Sequence, residues 1–366
     1  MLAHIPSAVL NLVRICALLL LLALPIAVRA ELTFVVVGTQ VTITGSSPAA
    51  SGSLVIPATI NELRVTSIAE WAFAGCTSLT NVTLGDTITS IGNSAFTFCS
   101  GLVRVELGKN VSTIGEYAFA GCGSLIATAI PDGLISIGTS AFAGCKSLTS
   151  VTIPDSVTTM GAAAFYECRG LTSVTIGNGL TSIGAATFTD CRKLTSLSFG
   201  SRVAILEDSA FSDCTSLVSV YFGNSLTTLG SAAFRGCTSL RGVYFLRSPP
   251  VVEPDAFTGA NNATLYYPED APGWATSIAG RPTADWAAPE PSVNDTLVLE
   301  VAENLRNPIW TPISTCSIAS TDRRRFYRFR ANVIETTPTL SNPLWAPVAT
   351  NRLTLDPQRF YRLRGL

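Results

Sequence analysis

The sequence predicts a β-rich repeat solenoid, with parallel strands and short helical or 3₁₀ turns, followed by a small all-β C-terminal domain. Three observations carry this. Cysteine recurs at Cys76, Cys99, Cys122, Cys145, Cys168, Cys191, Cys214 and Cys237, always 23 residues apart. A phenylalanine stands three residues before each, from Phe73 to Phe234, and Phe257 keeps the step after the cysteine has gone. Within a repeat, segments such as Val151-Thr152-Ile153 alternate apolar and polar residues, the mark of a strand with one buried face.

Residues 1–30 are expected to be a signal peptide. Arg14 closes a mildly basic start, an apolar run follows, and Val28-Arg29-Ala30 places small residues at −3 and −1 for cleavage before Glu31. The run is short for a membrane span, and no later segment is long and apolar enough to be one. The mature chain is therefore expected to be exported, extracellular or at the cell surface, without a transmembrane segment.

Residues 31–64 read as an N-terminal cap, since a solenoid end exposes apolar cross-section that must be covered. Two short strands are expected there, at 34–37 and 41–43, around Gly38. The solenoid follows at 65–267. Its apolar columns run through Leu79 to Leu240, Val82 to Val243, Leu84 to Phe245, Ile88 to Leu226 and Ile68 to Leu229, one residue per repeat. Thr128 is the odd member of the valine column. Equivalent strands one coil apart must pair in parallel, about 4.8 Å per coil. Glycine or proline marks the corner after each first strand, from Gly85 to Gly223. Because Pro131 and Pro154 share that column, φ there is expected to be near −65°. The column from Gly92 to Gly230 admits Ala69 and Glu207, which points to a packing preference.

The pattern L-x-x-V-x-I-P/G-x-x-V-x-x-I-G-x-x-A-F-x-x-C, seen in LTSVTIPDSVTTMGAAAFYEC at 148–168 and repeated over about 54–257, resembles the BspA-like leucine-rich repeat. The resemblance implies a leucine-rich repeat solenoid of the secreted or surface-exposed bacterial type. It also implies protein binding or adhesion as the role.

The array ends where Ala260 replaces cysteine and Ser248-Pro249-Pro250 interrupts a half-coil. Leu265-Tyr266-Tyr267-Pro268 reads as a last strand. Residues 268–293 read as C-terminal cap and linker, with Trp274 and Trp286 over the last coil. Residues 294–366 hold a second duplication. Leu305-Arg306-Asn307-Pro308-Ile309-Trp310 is answered by Leu340-Ser341-Asn342-Pro343-Leu344-Trp345. Arg325-Phe326-Tyr327-Arg328-Phe329-Arg330 is answered by Arg359-Phe360-Tyr361-Arg362-Leu363-Arg364. Each copy reads as strand, turn, strand, turn, strand, and the two halves are expected to form one small β-sheet or sandwich.

The chemistry available is sparse. The only histidine is His4, inside the expected leader, so Ser-His and Cys-His pairs are unavailable to the mature chain. The formal charge of −1 gives no global field for nucleic acid. The cysteine ladder admits disulfides, metal or buried thiols. Equivalent side chains on stacked coils point the same way, which keeps Cβ atoms beyond the usual bridging separation. Burial as small apolar groups is the favoured reading. No catalytic residue, metal or cofactor is assigned. Asp132 and Asp155 are expected to be solvated loop carboxylates, and Glu167, Asp190 and Asp213 solvated edge charges.

The outward strand positions Thr83, Glu106, Ala129, Thr152, Thr175, Ser198, Tyr221 and Tyr244 form one column. It ends in two tyrosines beside Arg241, residue types favoured at binding hot spots. The candidate binding residues are Tyr221, Tyr244, Arg241, Thr152 and Thr175, with Trp310, Trp345, Arg328 and Arg362 in the tail. The expected function is non-catalytic binding of a protein or cell-surface polymer by a monomer, with no nucleic-acid partner. The alternatives are an envelope-associated spacer without a specific ligand and, less favoured, a carbohydrate-active enzyme using surface carboxylates.

Overall fold

The computed structural model describes residues 30–268, residues 271–285 and six strands between residues 296 and 365, the last as backbone. They fall into two compact units. The first runs to Leu265 and takes in Gly273–Thr283, and the second takes in Tyr266–Pro272 and continues from Ala284.

The first unit is a β-solenoid. Strand β1 (Glu31–Val37) and β2 (Gln40–Ser47) form an antiparallel hairpin about Gly38, whose φ of 63° suits glycine. From β2 onward the main ladders are parallel. β2 pairs with Leu63–Ile68, and β3 (Gly52–Ile56) pairs with Leu79–Leu84. Residues 40–56 thus already form a coil paired with those that follow, and β1 pairs antiparallel along its outer edge. Each later coil contributes a longer strand, such as Ser150–Ile153, and a two-residue strand, such as Thr159–Met160. Each pairs with an equivalent strand one 23-residue step away, Ser150 opposite Ser173 in the next coil and Thr159 opposite Ser136 in the preceding one.

The phenylalanines are the seam. Phe73, Phe96, Phe119, Phe142, Phe165, Phe188, Phe211, Phe234 and Phe257 are all fully buried. Consecutive rings stack with centroids 5.2–5.7 Å apart and planes within 12°. Such pairs add about 0.5–1.5 kcal/mol beyond area burial. Toward the C-terminal end a second stack appears, Phe199 on Phe222 and Phe222 beside Phe245. Trp274 closes it, 5.0 Å from Phe245, with its indole N–H donating to the Arg247 carbonyl. Trp286 lies outside the described residues.

The expected helical or 3₁₀ turn around each Ala-Phe pair is instead a chain of β-turns, and no helix occurs among the described residues. Two residues per coil sit at positive φ, five and one before the cysteine: Trp71 (59°) and Gly75 (71°), then Ser94 (53°) and Phe98 (56°). This alternation prevents a helix from propagating. It turns successive N–H groups in different directions. Ala72, Ala74 and Cys76 donate three residues back, whereas Trp71, Phe73 and Gly75 donate to Asn93, Ala95 and Thr97 of the next coil. Gly85, Gly108, Gly177, Gly200 and Gly223 are not among the positive-φ glycines, in keeping with proline at that corner. The Gly92 to Gly230 column serves close approach: a Cβ on Gly138 or Gly161 would stand 2.5 or 2.4 Å from backbone of the preceding coil.

The second unit has two three-stranded antiparallel sheets. One orders Thr311–Ser317, Thr296–Ala302, Phe360–Gly365, and the other Phe326–Arg330, Val333–Thr337, Ala346–Thr350. The duplicated halves therefore exchange their last strands. Phe326–Arg330 of the first copy joins the second copy's sheet, and Phe360–Gly365 of the second joins the first. The registers match, Arg328 opposite Glu335 and Arg362 opposite Glu300.

Candidate binding face

The outward column is built by strand alternation. In Ser219–Tyr221 and Gly242–Tyr244, Val220 and Val243 point into the core, which turns Tyr221 and Tyr244 out. The strands pair with Tyr221 directly opposite Tyr244. Their rings stack nearly parallel, with centroids 4.4 Å apart and an interplanar angle of 6°. Tyr221 is 54% exposed. Tyr244 is half-buried because it folds over Gly242: a Cβ on Gly242 would meet the Tyr244 ring at 2.6 Å. The equivalent positions in other coils hold Asn81, Arg104, Ala127, Ser150, Ser173, Ser196 and Ser219. The absence of a side chain at residue 242 is what seats Tyr244 flat. Sequence reasoning missed this glycine, although it breaks an otherwise side-chain-bearing column.

Arg241 is exposed beside them, held by its main chain. Its N–H donates to the Val218 carbonyl, and its own carbonyl accepts from Thr264. Thr152 and Thr175 are exposed and directly opposite one another on Ser150–Ile153 and Ser173–Ile176. The column is not one continuous ladder. The sheet carrying Thr152 and Thr175 ends at Ser196–Ser198, and Ser219–Tyr221 begins another. The structure thus groups Tyr221 with Tyr244 and Thr152 with Thr175. Trp310 and Trp345 lie outside the described residues. Arg328 and Arg362 stand on the two exchanged strands of the second unit.

The eight ladder cysteines, Cys76 to Cys237, are free and buried. Each from Cys99 to Cys237 donates its thiol to the phenylalanine carbonyl 26 residues earlier, at 3.1–3.4 Å. Burial pushes the thiols of Cys99, Cys168 and Cys237 up to about 12.

Among the carboxylates, one expectation needs correction. Asp190 is not a solvated edge charge. It is buried, with Arg169 Nε 2.7 Å from one oxygen and Arg192 Nε 2.5 Å from the other. Burial by itself raises its pKa, but the hydrogen bonds from Arg192 and Arg169 outweigh that and hold the carboxyl below its ordinary range. Glu167 joins through Arg169 at 3.2 Å. Asp155 turns to the next coil, accepting from the Asn178 N–H at 2.7 Å. No group of three or more potential metal ligands occurs among the described residues. No helix of the described residues is long and apolar enough to cross a membrane.

The BspA type leucine rich repeat region matches in six copies, over residues 53–171 and 135–264. Among solved structures, a leucine-rich repeat protein from Bacteroides ovatus is 26% identical, with a TM-score of 0.55, over 65% of this chain and 70% of its own. A leucine-rich repeat protein from T. pallidum is 32% identical, with a TM-score of 0.49, over 51% of this chain and 87% of its own. Comparison with curated proteins gives no match.

Proposed function

The chain belongs to the BspA type leucine-rich repeat family, and from that premise we propose that it is an exported, non-catalytic binding protein of the adhesion kind, working as a monomer. Its partner is a protein or cell-surface polymer. The observation that carries this reading is the Tyr221–Tyr244 stack. Two large amphipathic rings, already ordered against each other, lose little conformational freedom on binding. Arg241 adds a charged donor at their side, and Thr152 and Thr175 extend the same outward column with hydroxyls. The tail residues Trp310, Trp345, Arg328 and Arg362 belong to an accessory or anchoring module in this proposal. The expected leader, residues 1–30, supports export.

The test is capture from host-surface and envelope extracts by the full chain, followed by Tyr221→Ala and Tyr244→Ala. Each substitution is expected to weaken capture roughly tenfold or more, the scale of an interface hot spot, while the chain stays folded and its melting temperature falls by only about 2–4 °C. Capture that both variants retain in full would remove this face from the proposal.

A further inference from the structure

The corner of the first coils carries a feature the binding face does not use. We propose that Trp71 and Tyr117 form a second binding surface, which takes an extended β-1,4-linked glycan chain.

The corner position five residues before each cysteine sits at positive φ, and most coils fill it with a small residue: Ser94, Ser140, Ala163, Ala186, Ser209 and Ala232. Coils one and three instead hold Trp71 (φ 59°) and Tyr117 (φ 55°). A left-handed conformation costs a residue with a Cβ about 1–2 kcal/mol, and bulky residues there are rare. The fold demands the backbone conformation and not the ring. Strain combined with a large exposed side chain points to a use outside the fold. Trp71 is 58% exposed and Tyr117 46%. Phe98, one coil on from Trp71 and also at positive φ, is 66% exposed and lies against Gly121, where a Cβ would stand 2.6 Å from its ring.

The spacing indicates the ligand. The Trp71 N–H donates to the Asn93 carbonyl, the Ser94 N–H to the Glu116 carbonyl and the Tyr117 N–H to the Thr139 carbonyl. The corner is thereby tied rigidly from coil to coil. Core rings in these coils step by 5.2 and 5.3 Å, which puts Trp71 and Tyr117 about 10 Å apart along the axis. That is the interval at which an extended β-1,4-linked glycan turns the same sugar face to one side. Sugar C–H faces stack on the electron-rich face of an aromatic ring.

The neighbouring column supplies hydroxyl partners. Glu70, Asn93 and Glu116 precede Trp71, Ser94 and Tyr117 in three successive coils, and all three are exposed. Glu70 Oε1 accepts from the Trp71 indole N–H at 2.9 Å, which orients the ring while its second oxygen remains an acceptor. Asn93 Oδ1 accepts from the Glu116 N–H at 2.9 Å, which leaves its amide N–H₂ to donate. A protein hot spot favours one contiguous desolvated cluster. Here the two rings are separated by a coil bearing Asn93 and the buried Ser94, an arrangement that suits a chain of sugars better.

The full chain would be titrated with chitohexaose, cellohexaose and their shorter members, read by tryptophan fluorescence and calorimetry. The expected result is binding to at least one hexasaccharide that strengthens steeply once the chain is long enough to reach both rings. Trp71→Ala and Tyr117→Ala should each weaken it roughly tenfold or more, while Trp71→Phe retains most of it. Circular dichroism would show that the variants fold. No binding of either hexasaccharide at millimolar concentration, binding indifferent to Trp71 and Tyr117, or binding independent of chain length would each overturn the proposal. Loss of a captured protein on Trp71→Ala without any glycan binding would assign the surface to a protein partner instead.

Discussion

The thiol of Cys145 donates a hydrogen bond of 3.3 Å to the carbonyl oxygen of Phe119, which also accepts the backbone N–H of Cys122. One carbonyl thus serves two coils. The same link recurs along the array, so each cysteine stitches its coil to the aromatic seam of the one before. A serine would keep a donor but lose the apolar volume, and an alanine would orphan one lone pair.

The first prediction concerns these thiols. Their burial raises their pKa, to about 12 for Cys168, against an unfolded value near 9.0. The resulting stabilisation is fully present below the unfolded value and is lost as pH rises from there through the folded value. The melting temperature should therefore fall above about pH 9. A maleimide reagent at neutral pH should leave the ladder cysteines unlabelled until denaturant is added. Rapid labelling of Cys168 in the native protein would contradict the structure.

Thr128 gives a prediction of opposite sign. It stands on Ala127–Ala129, opposite Val105, in a column otherwise apolar. Its buried hydroxyl has no hydrogen-bond partner among the described residues. Valine has the same shape without the unpaired oxygen. Thr128→Val should raise stability by about 1 kcal/mol, seen as a higher urea midpoint with an unchanged slope.

Two glycines of one column should respond differently to alanine. A Cβ on Gly161 would stand 2.4 Å from the Thr139 backbone nitrogen, but on Gly184 its nearest neighbours are at 3.4 Å. Gly161→Ala should cost about 2–3 kcal/mol by forcing adjacent coils apart. Gly184→Ala should be neutral or stabilising by up to about 1 kcal/mol. Thermal melts of the two variants make the comparison directly.

Asp190 ties its own coil to the preceding one, holding Arg192 beside it and Arg169 one coil back. Its carboxyl is held below the ordinary range in the fold. Its contribution is therefore present above the unfolded pKa and is lost as pH falls through the folded one. Asp190→Asn should cost about 1–2 kcal/mol at neutral pH, discounted because both arginines are partly exposed. The difference from the parent should shrink in acid, which a pH series of urea midpoints would show.

The array was legible in the sequence because its period is carried by side chains the core cannot exchange. Phe73 to Phe257 and Cys76 to Cys237 must recur at one step for the rings and thiols to meet. The corner was not legible. Its left-handed positions hold serine, alanine, aspartate and even tryptophan as well as Gly75, Gly121, Gly144 and Gly236, so no single residue type signals them, and the Ala-Phe run reads as a helical turn. The burial of Asp190 depends on Arg169, which comes from the preceding coil at an offset of 21 and so lies outside the column comparison. On the binding face, Tyr221 and Tyr244 were visible as a column, but the seat beneath Tyr244 depends on what Gly242 lacks.

The corner ladder also gives the solenoid an arrow. Its donors at Trp71, Phe73 and Gly75 all point toward the following coil, and those at Phe211 and Phe234 do the same many coils later. Along this corner one coil consequently meets the next by a recurring plug and socket that faces the same way. A lineage can lengthen or shorten such a rod by whole 23-residue units without redrawing any interface. The reach of the molecule, and so the distance between whatever its two aromatic surfaces hold, becomes a quantity that duplication alone can tune.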